Sequence, residues 1–335
     1  MPTPMELMTN DRPSLPALSI SHDLIAEELR KVCQIMDGEL FSDSAVVNDL
    51  CGHLRSYRGK MLRPALLLLS AKACGGIRGE HLTLAAVLEL VHMATLVHDD
   101  VLDEADLRRR QPTIHRLQGN EAAVLLGDYL ISHAFHLCST VDAFACQQIG
   151  ARTNTVCEGE LQQVAHRGDW NLSLAQYLDI ITRKTAALTG AACMLGAKYA
   201  EAPETTMKAL EQYGLKAGIA FQITDDVLDI VGSQERMGKT LGRDLDERKP
   251  TLPLIHALIH ATPGQQALIR QLLLAPSPDR ARLATILRET GSIKFALQEA
   301  TEYVRSAMIQ LDELPSSDSR AALTQLAATI VTRDL

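Results

Sequence analysis

The 335-residue chain lacks the alternating β-branched runs bounded by turn residues that mark strands, has no C-x-x-C pair and carries no excess of positive charge. The first absence argues against a sheet-based fold. The second, with seven cysteines, an odd number, argues against a disulfide framework or a zinc site and predicts reduced thiols in a cytoplasmic protein. Lys and Arg number 33 against 41 Asp and Glu, a net charge of −8, so the chain does not coat nucleic acid by bulk electrostatics. Any anionic partner must be caught by a local basic cluster. The opening residues hold four prolines and two acids within the first 20, with no basic stretch leading into an apolar one, and read as a mobile tail over 1–20 rather than a secretory signal. Apolar runs such as Pro64–Gly76 fall short of the about 18 residues that span a bilayer, which predicts a soluble protein. No low-complexity linker interrupts the chain, so one domain over 21–335 is expected although the length would allow two.

What is present is Ala- and Leu-rich sequence, 46% hydrophobic, with apolar residues three and four apart. An all-α fold follows. Breaks are expected at Arg58-Gly59, Cys74-Gly75-Gly76, Gln111-Pro112-Thr113, Arg167-Gly168-Asp169, Ala202-Pro203, Thr262-Pro263-Gly264 and Pro276-Ser277-Pro278. They leave roughly ten helices or more. The stretch Gly232–Pro253, rich in glycine and charge, reads as a long loop of the kind that forms functional lids.

Asp-Asp-Val-Leu-Asp occurs twice, at Asp99–Asp103 and Asp225–Asp229. On a helix, residues i and i+4 share a face with i+1 beside them, so each string is expected to aim three carboxylates at one spot. Clustered aspartates in an apolar helix are costly unless a divalent ion neutralises them, and oxygen-only ligands suit Mg²⁺ shared with phosphates. Glu89, His92, Leu96, Asp99 and Asp103 step along one stripe, and Gln222, Asp225, Asp226 and Asp229 along another. Two such stripes facing each other would line a cavity in a bundle. A single stripe could be a solvated helix face, but two identical ones in apolar surroundings argue for a site. Cations flank them. Arg55, Arg58, Lys60 and Arg63 surround a glycine, Arg108, Arg109 and Arg110 follow the first triad, and Arg183, Lys184, Lys239, Arg243 and Lys249 lie further on. Guanidinium forks beside metal triads point to substrates with two phosphates each.

These residues carry a resemblance. Gly59–Pro64 (G-K-M-L-R-P), Asp99–Arg109, Lys184-Thr185, Phe221–Asp229 and Gly238–Leu245 resemble, in order and spacing, the motifs of the trans-isoprenyl diphosphate synthases, or polyprenyl synthetases, across the chain from about residue 21 to its end. The resemblance implies a single all-α domain of antiparallel helices around a deep central cavity, and a homodimer. It further implies that Asp99, Asp100, Asp103, Asp225, Asp226 and Asp229 bind about two to three Mg²⁺ bridging an allylic diphosphate held also by Arg108, Lys184 and Lys239. Lys60, Arg63, His92 and Arg109 match positions for isopentenyl diphosphate. Thr185 and Gln222 match those that stabilise the allylic cation, and Lys249 a further diphosphate contact. Arg110 and Arg248 stand where the family commonly has glycine. Metal and cations would let the allylic C–O bond ionise, the isopentenyl double bond would attack the cation, and loss of a proton, plausibly to the departing diphosphate, would leave a chain one unit longer.

Ala94 lies five residues before Asp99, about 7.5 Å along the axis, with Thr95 beside it. Both are small, and the segment Glu89–Asp100 is similar to octaprenyl diphosphate synthases, which predicts a long product of about C40 for a quinone side chain, with the floor set deeper by Phe135 or His136. Alternatives are a farnesyl or geranylgeranyl product, or a non-catalytic subunit of a heteromeric synthase; transient membrane contact for product release is a further expectation. A nucleotide-binding loop at Gly232–Thr240 is set aside because five residues stand between the glycines where that motif needs four and a helix precedes it. A di-iron bundle needs more than the single Glu89-x-x-His92 pair. A terpene cyclase would replace the second triad with an Asn/Ser/Glu motif.

Overall fold

The computed structural model describes residues 23–54, 57, 59–109, 111–232, 242–275 and 278–332. Among these, fourteen α-helices of eight residues or more run mostly antiparallel around a central cavity. The only strands among them are the two-residue pair β1 (Leu107–Arg108) and β2 (Gln111–Pro112). The first half comprises α1 (Ala26–Glu39), α2 (Ala45–Leu54), α3 (Leu62–Ala73), α4 (Gly79–Leu102), α5 (Ile114–Ser139) and α6 (Ala143–Ala165). Then come α7 (Leu174–Ile181), a π-turn at Thr182–Ala186, α8 (Ala187–Tyr199) and α9 (Glu204–Val231). A single turn, α10 (Arg243–Asp246), leads to α11 (Leu252–His260), α12 (Pro263–Leu274), α13 (Arg280–Glu289), α14 (Ser292–Gln310) and α15 (Asp318–Thr332).

Burial ranks these helices. From Pro64 to Ala71 on α3, and from Ala187 to Ala197 on α8, every residue is buried, so both are apolar all round and lie at the centre. α4 packs most extensively on α5, and α9 on α8 and α14. Among the described residues α4 alone is long and apolar enough to cross a membrane, and most of it is buried in the core instead. The all-α expectation holds, but the helices outnumber the expected ten because several ends carry no proline. Asp142 starts α6 by accepting from Ala145 N (2.8 Å), and Gly291, with φ 71°, separates α13 from α14. Pro253 does not break a helix; it occupies the first turn of α11, where its missing N–H costs nothing. Residues 233–241 of the expected loop Gly232–Pro253 lie outside the described residues, and beyond them Leu245 of α10 is anchored in the apolar cluster of α11, α12 and α13.

Candidate active site

The last turn of α4 ends at Asp103, whose N–H donates to Asp99 O (2.9 Å). Contrary to expectation, its three carboxylates do not converge. Successive helical residues are turned by about 100°, so the second aspartate points sideways into the bundle. Asp100, 1% exposed, accepts from Arg108 Nε (2.8 Å), pairs with its Nη2 (2.7 Å) and accepts from the Tyr57 hydroxyl (2.7 Å). The β1–β2 hairpin turns the chain back to bring Arg108 there. Asp103 pairs with Arg167 Nη2 (2.7 Å), Lys249 Nζ (3.3 Å) and Arg243 Nη2 (3.9 Å). Burial pushes the Asp103 carboxyl up, but Lys249, Lys184 and Arg243 outweigh it and hold it below its usual value. Among the described residues Asp99 pairs with Lys184 Nζ at 3.8 Å, and burial, with Glu160 and Asp103 nearby, raises it to about 6.

The second cluster diverges in the same way. Asp226, 5% exposed, accepts from Tyr177 Oη (2.7 Å) and from Gln222 Nε2 (2.8 Å), and burial, then the neighbouring Asp244, push its pKa well above the usual range. Asp229 accepts from Gly242 N and Asp244 N, each at 3.1 Å, and so fastens the start of α10 to the end of α9. Asp225 is half-buried beside them.

The π-turn presents Lys184 and Thr185 between the two clusters. Lys184 Nζ pairs with Glu160 Oε2 (2.5 Å) and donates to Gln163 (2.8 Å), while the Thr185 hydroxyl donates to Gln222 Oε1 (2.8 Å). Extra turns of this kind often mark functional sites. It comes this close to α6 only because residue 159 is glycine: a Cβ there would lie 2.6 Å from Lys184 N. Lys249, 8% exposed, is paired with Glu247 as well as Asp103; burial would lower its pKa, but Asp103, Asp244 and Glu247 hold it above the usual range. Arg248 adopts a left-handed backbone (φ 57°), which accounts for glycine being common there, and its carbonyl accepts from Gly168 N (2.7 Å).

A second cationic pocket lies beside Arg108. Burial, then Arg63, Arg109 and Arg108, push His92 well below its usual pKa, so the ring is neutral. Burial lowers the pKa of the Arg63 guanidinium against the opposing charge of Glu89, and its Nε is buried without a hydrogen-bond partner among the described residues. Arg109 donates to Tyr57 O and lies flat on Gly59, where any side chain would collide with its guanidinium. Lys60, on the next residue, is exposed. Arg55, Arg58, Arg110 and Lys239 lie outside the described residues.

Ala94 is fully buried on α4, and Thr95 is half-buried with its hydroxyl donating to His92 O (2.8 Å). Phe135 and His136 are both exposed on α5, and the Phe135 ring edge lies 3.9 Å from where a Cβ at Gly150 of α6 would stand.

Tyr57, Tyr177, Glu160, Gln163 and Arg167 belong to this site and no sequence motif announced them, although Arg167 lay at an expected break; Asp244, inside the Gly238–Leu245 motif, was not singled out. Among the described residues no three His, Cys, Asp or Glu side chains converge on a metal position. Asp100, Asp226 and Asp229 each accept hydrogen bonds from protein donors. The remaining carboxylates nevertheless suit a hard divalent cation. They are oxygen-only, they crowd Asp99, and Glu160 Oε1 is buried without a hydrogen-bond partner.

The polyprenyl synthetase family profile covers residues 44–290. Octaprenyl diphosphate synthase of Escherichia coli (strain K12) is 36% identical over 317 residues, 93% of this chain and 98% of that protein. All-trans-nonaprenyl-diphosphate synthase (geranyl-diphosphate specific) of Rhodobacter capsulatus is 35% identical over 312 residues, 92% and 96% of the two chains. The crystal structure of a polyprenyl synthase from Caulobacter crescentus CB15, complexed with calcium and isoprenyl diphosphate, superimposes with a TM-score of 0.91 at 33% identity, covering 97% of this chain and all of that one. The chain belongs to the polyprenyl synthetase family and is a prenyltransferase that condenses isoprenoid diphosphates.

Proposed function

We propose that the protein adds isopentenyl diphosphate repeatedly to an allylic diphosphate and releases an all-trans polyprenyl diphosphate of about C40, octaprenyl, for a quinone side chain. The observation that carries the reaction is the meeting of the first acidic cluster with Arg108, Lys184 and Lys249, the second cluster being joined to it through Thr185 and Gln222 and through Asp244, next to a separate group of Arg63, His92 and Arg109. Two anionic pockets side by side suit two diphosphates.

In this reading Asp99, Asp103 and Asp225 hold Mg²⁺, with Asp100, Asp226 and Asp229 braced behind them. Bound there, the metal neutralises charge building on the leaving diphosphate. Arg108, Lys184, Lys239 and Lys249 bind the allylic diphosphate. Lys60, Arg63 and Arg109 hold isopentenyl diphosphate, and neutral His92 donates one hydrogen bond to it. The amide oxygen of Gln222 and the hydroxyl of Thr185 face the allylic carbon and stabilise its developing positive charge. The departing diphosphate takes the proton. Burial of the cluster excludes water that would quench the cation.

The octaprenyl length rests on the small residues Ala94, buried, and Thr95, half-buried, and on likeness to the octaprenyl enzyme. The enzyme works in the cytoplasm as a homodimer, whose interface would cover Val124, Leu125 and Phe135, exposed on α5. Purified protein is incubated with farnesyl diphosphate, isopentenyl diphosphate and Mg²⁺, and the products are weighed by mass spectrometry. Products ending near C40 support the reading, and products stopping at C15 or C20 overturn the length; no elongation overturns the function.

A further inference from the structure

Each acidic pentapeptide has its second aspartate fixed by a tyrosine from elsewhere in the chain. Tyr57, 2% exposed, stands 43 positions before Asp100 and donates to its Oδ2 over 2.7 Å. Tyr177, 3% exposed, stands 49 positions before Asp226 and donates to its Oδ2, also over 2.7 Å. The same arrangement has thus been assembled twice, from unrelated segments.

Satisfying a buried carboxylate would explain one phenol each. The remaining bonds go further. Asp100 also carries both forks of Arg108, whose guanidinium lies 5.9 Å from the centre of the Tyr57 ring. The Tyr57 hydroxyl accepts from Ile114 N (3.2 Å), so it ties the end of α4 to the start of α5 as well. Asp226 carries the Gln222 amino group on Oδ1, and this dictates the amide orientation: Nε2 faces the carboxylate, leaving Oε1 to accept from Thr185. A phenol that stops the carboxylate rotating therefore also fixes what the carboxylate holds.

We propose that Tyr57 and Tyr177 are positioning residues for the condensation, Tyr57 setting the Arg108 guanidinium through Asp100 and Tyr177 setting the Gln222 amide through Asp226. The proposal rests on the roles given above to Arg108 and Gln222, and those roles separate the two tyrosines kinetically. Arg108 already grips the diphosphate in the ground state and grips it harder as charge builds there, whereas Gln222 meets a charge that develops only on ionisation. Loss of the first lowers affinity as well as turnover, and loss of the second lowers turnover alone.

The test compares Tyr57→Phe, Tyr177→Phe and a control, Tyr213→Phe, in the full chain with farnesyl diphosphate, isopentenyl diphosphate and Mg²⁺. Tyr213 is equally buried and donates to Leu323 O (2.7 Å), away from both clusters. One lost hydrogen bond is worth about fivefold to tenfold. Tyr57→Phe is expected to raise KM for farnesyl diphosphate by that factor, Tyr177→Phe to lower kcat by that factor at unchanged KM, and Tyr213→Phe to shift only Tm. If Tyr57→Phe does not fold, Asp100→Asn, which keeps the shape but loses the charge, should show the same rise in KM. Both tyrosine variants behaving like Tyr213→Phe, or the two effects exchanged, would overturn the positioning role while the function stood. A wild type unable to elongate would overturn the function itself, and this proposal with it.

Discussion

Asp103 and Lys249 are 146 positions apart in sequence and 3.3 Å apart in space, and neither is more than 12% exposed. Glu247 closes on the same ammonium and Arg167 on the same carboxylate. The protein thus keeps its own cations against a cluster that, in the proposed function, also serves a metal. Lys249→Met leaves Asp103 and Glu247 facing each other in a largely dry setting. Breaking such a buried pair costs about 3 kcal/mol. Chemical denaturation should register that loss without ligand. Adding Mg²⁺ with inorganic pyrophosphate should recover part of it, because the metal supplies the missing positive charge.

Product length is expected to follow the residue at 94. Ala94 is wholly buried on α4, five residues before Asp99, so a tyrosine there must either enter the path of the growing chain or push neighbouring helices apart. Ala94→Tyr should therefore shorten the products seen by mass spectrometry while elongation continues. If products stayed at full length and only Tm fell, Ala94 would be a packing position and nothing more. Overpacking alone costs about 1–3 kcal/mol.

The acidic helices were legible in the sequence because their signal is local: a repeated string with helical spacing records both residue type and face. The cationic residues were legible for the same reason, as clusters beside glycine or beside the triads. Tyr57 and Tyr177 were not, since a lone tyrosine carries no mark of the carboxylate it will meet 43 or 49 positions later. Spacing also overstated convergence, because it put Asp100 and Asp226 beside their neighbours without recording that a side chain turned by about 100° faces other helices. In the fold, proline and glycine breaks were visible, whereas the α5–α6 junction, built on Thr140 and the Asp142 cap, carries neither.

The pH dependence of stability is expected to carry the imprint of His92. Burial and the charges of Arg63, Arg109 and Arg108 depress its folded pKa well below 6.5. The unfolded chain therefore binds a proton that the folded protein refuses. Stability linked to this residue is present above pH 6.5 and is lost as the pH falls from there toward the folded pKa. Tm should decline between about pH 7 and about pH 5.5, and His92→Gln should flatten that decline. An equal slope in both proteins would mean that His92 is not protonated on unfolding.

Gly159 offers the sharpest link between packing and chemistry. An added methyl at this position on α6 would lie 2.6 Å from Lys184 N and 2.7 Å from Arg183 Cβ. The alanine gains about 1 kcal/mol of helix propensity, while overpacking costs about 1–3 kcal/mol, so stability should fall slightly or barely change. Catalysis should suffer more. The π-turn must retreat, carrying Lys184 away from Glu160 and Gln163 and Thr185 away from Gln222. A displacement of about 1 Å at groups that orient reacting atoms can cost on the order of a hundredfold. Gly159→Ala is therefore expected to keep its Tm within a few degrees and lose most of its kcat. A variant with normal kcat would show that the π-turn can shift without disturbing Lys184 and Thr185, and would remove the close approach of α6 from the account of the site.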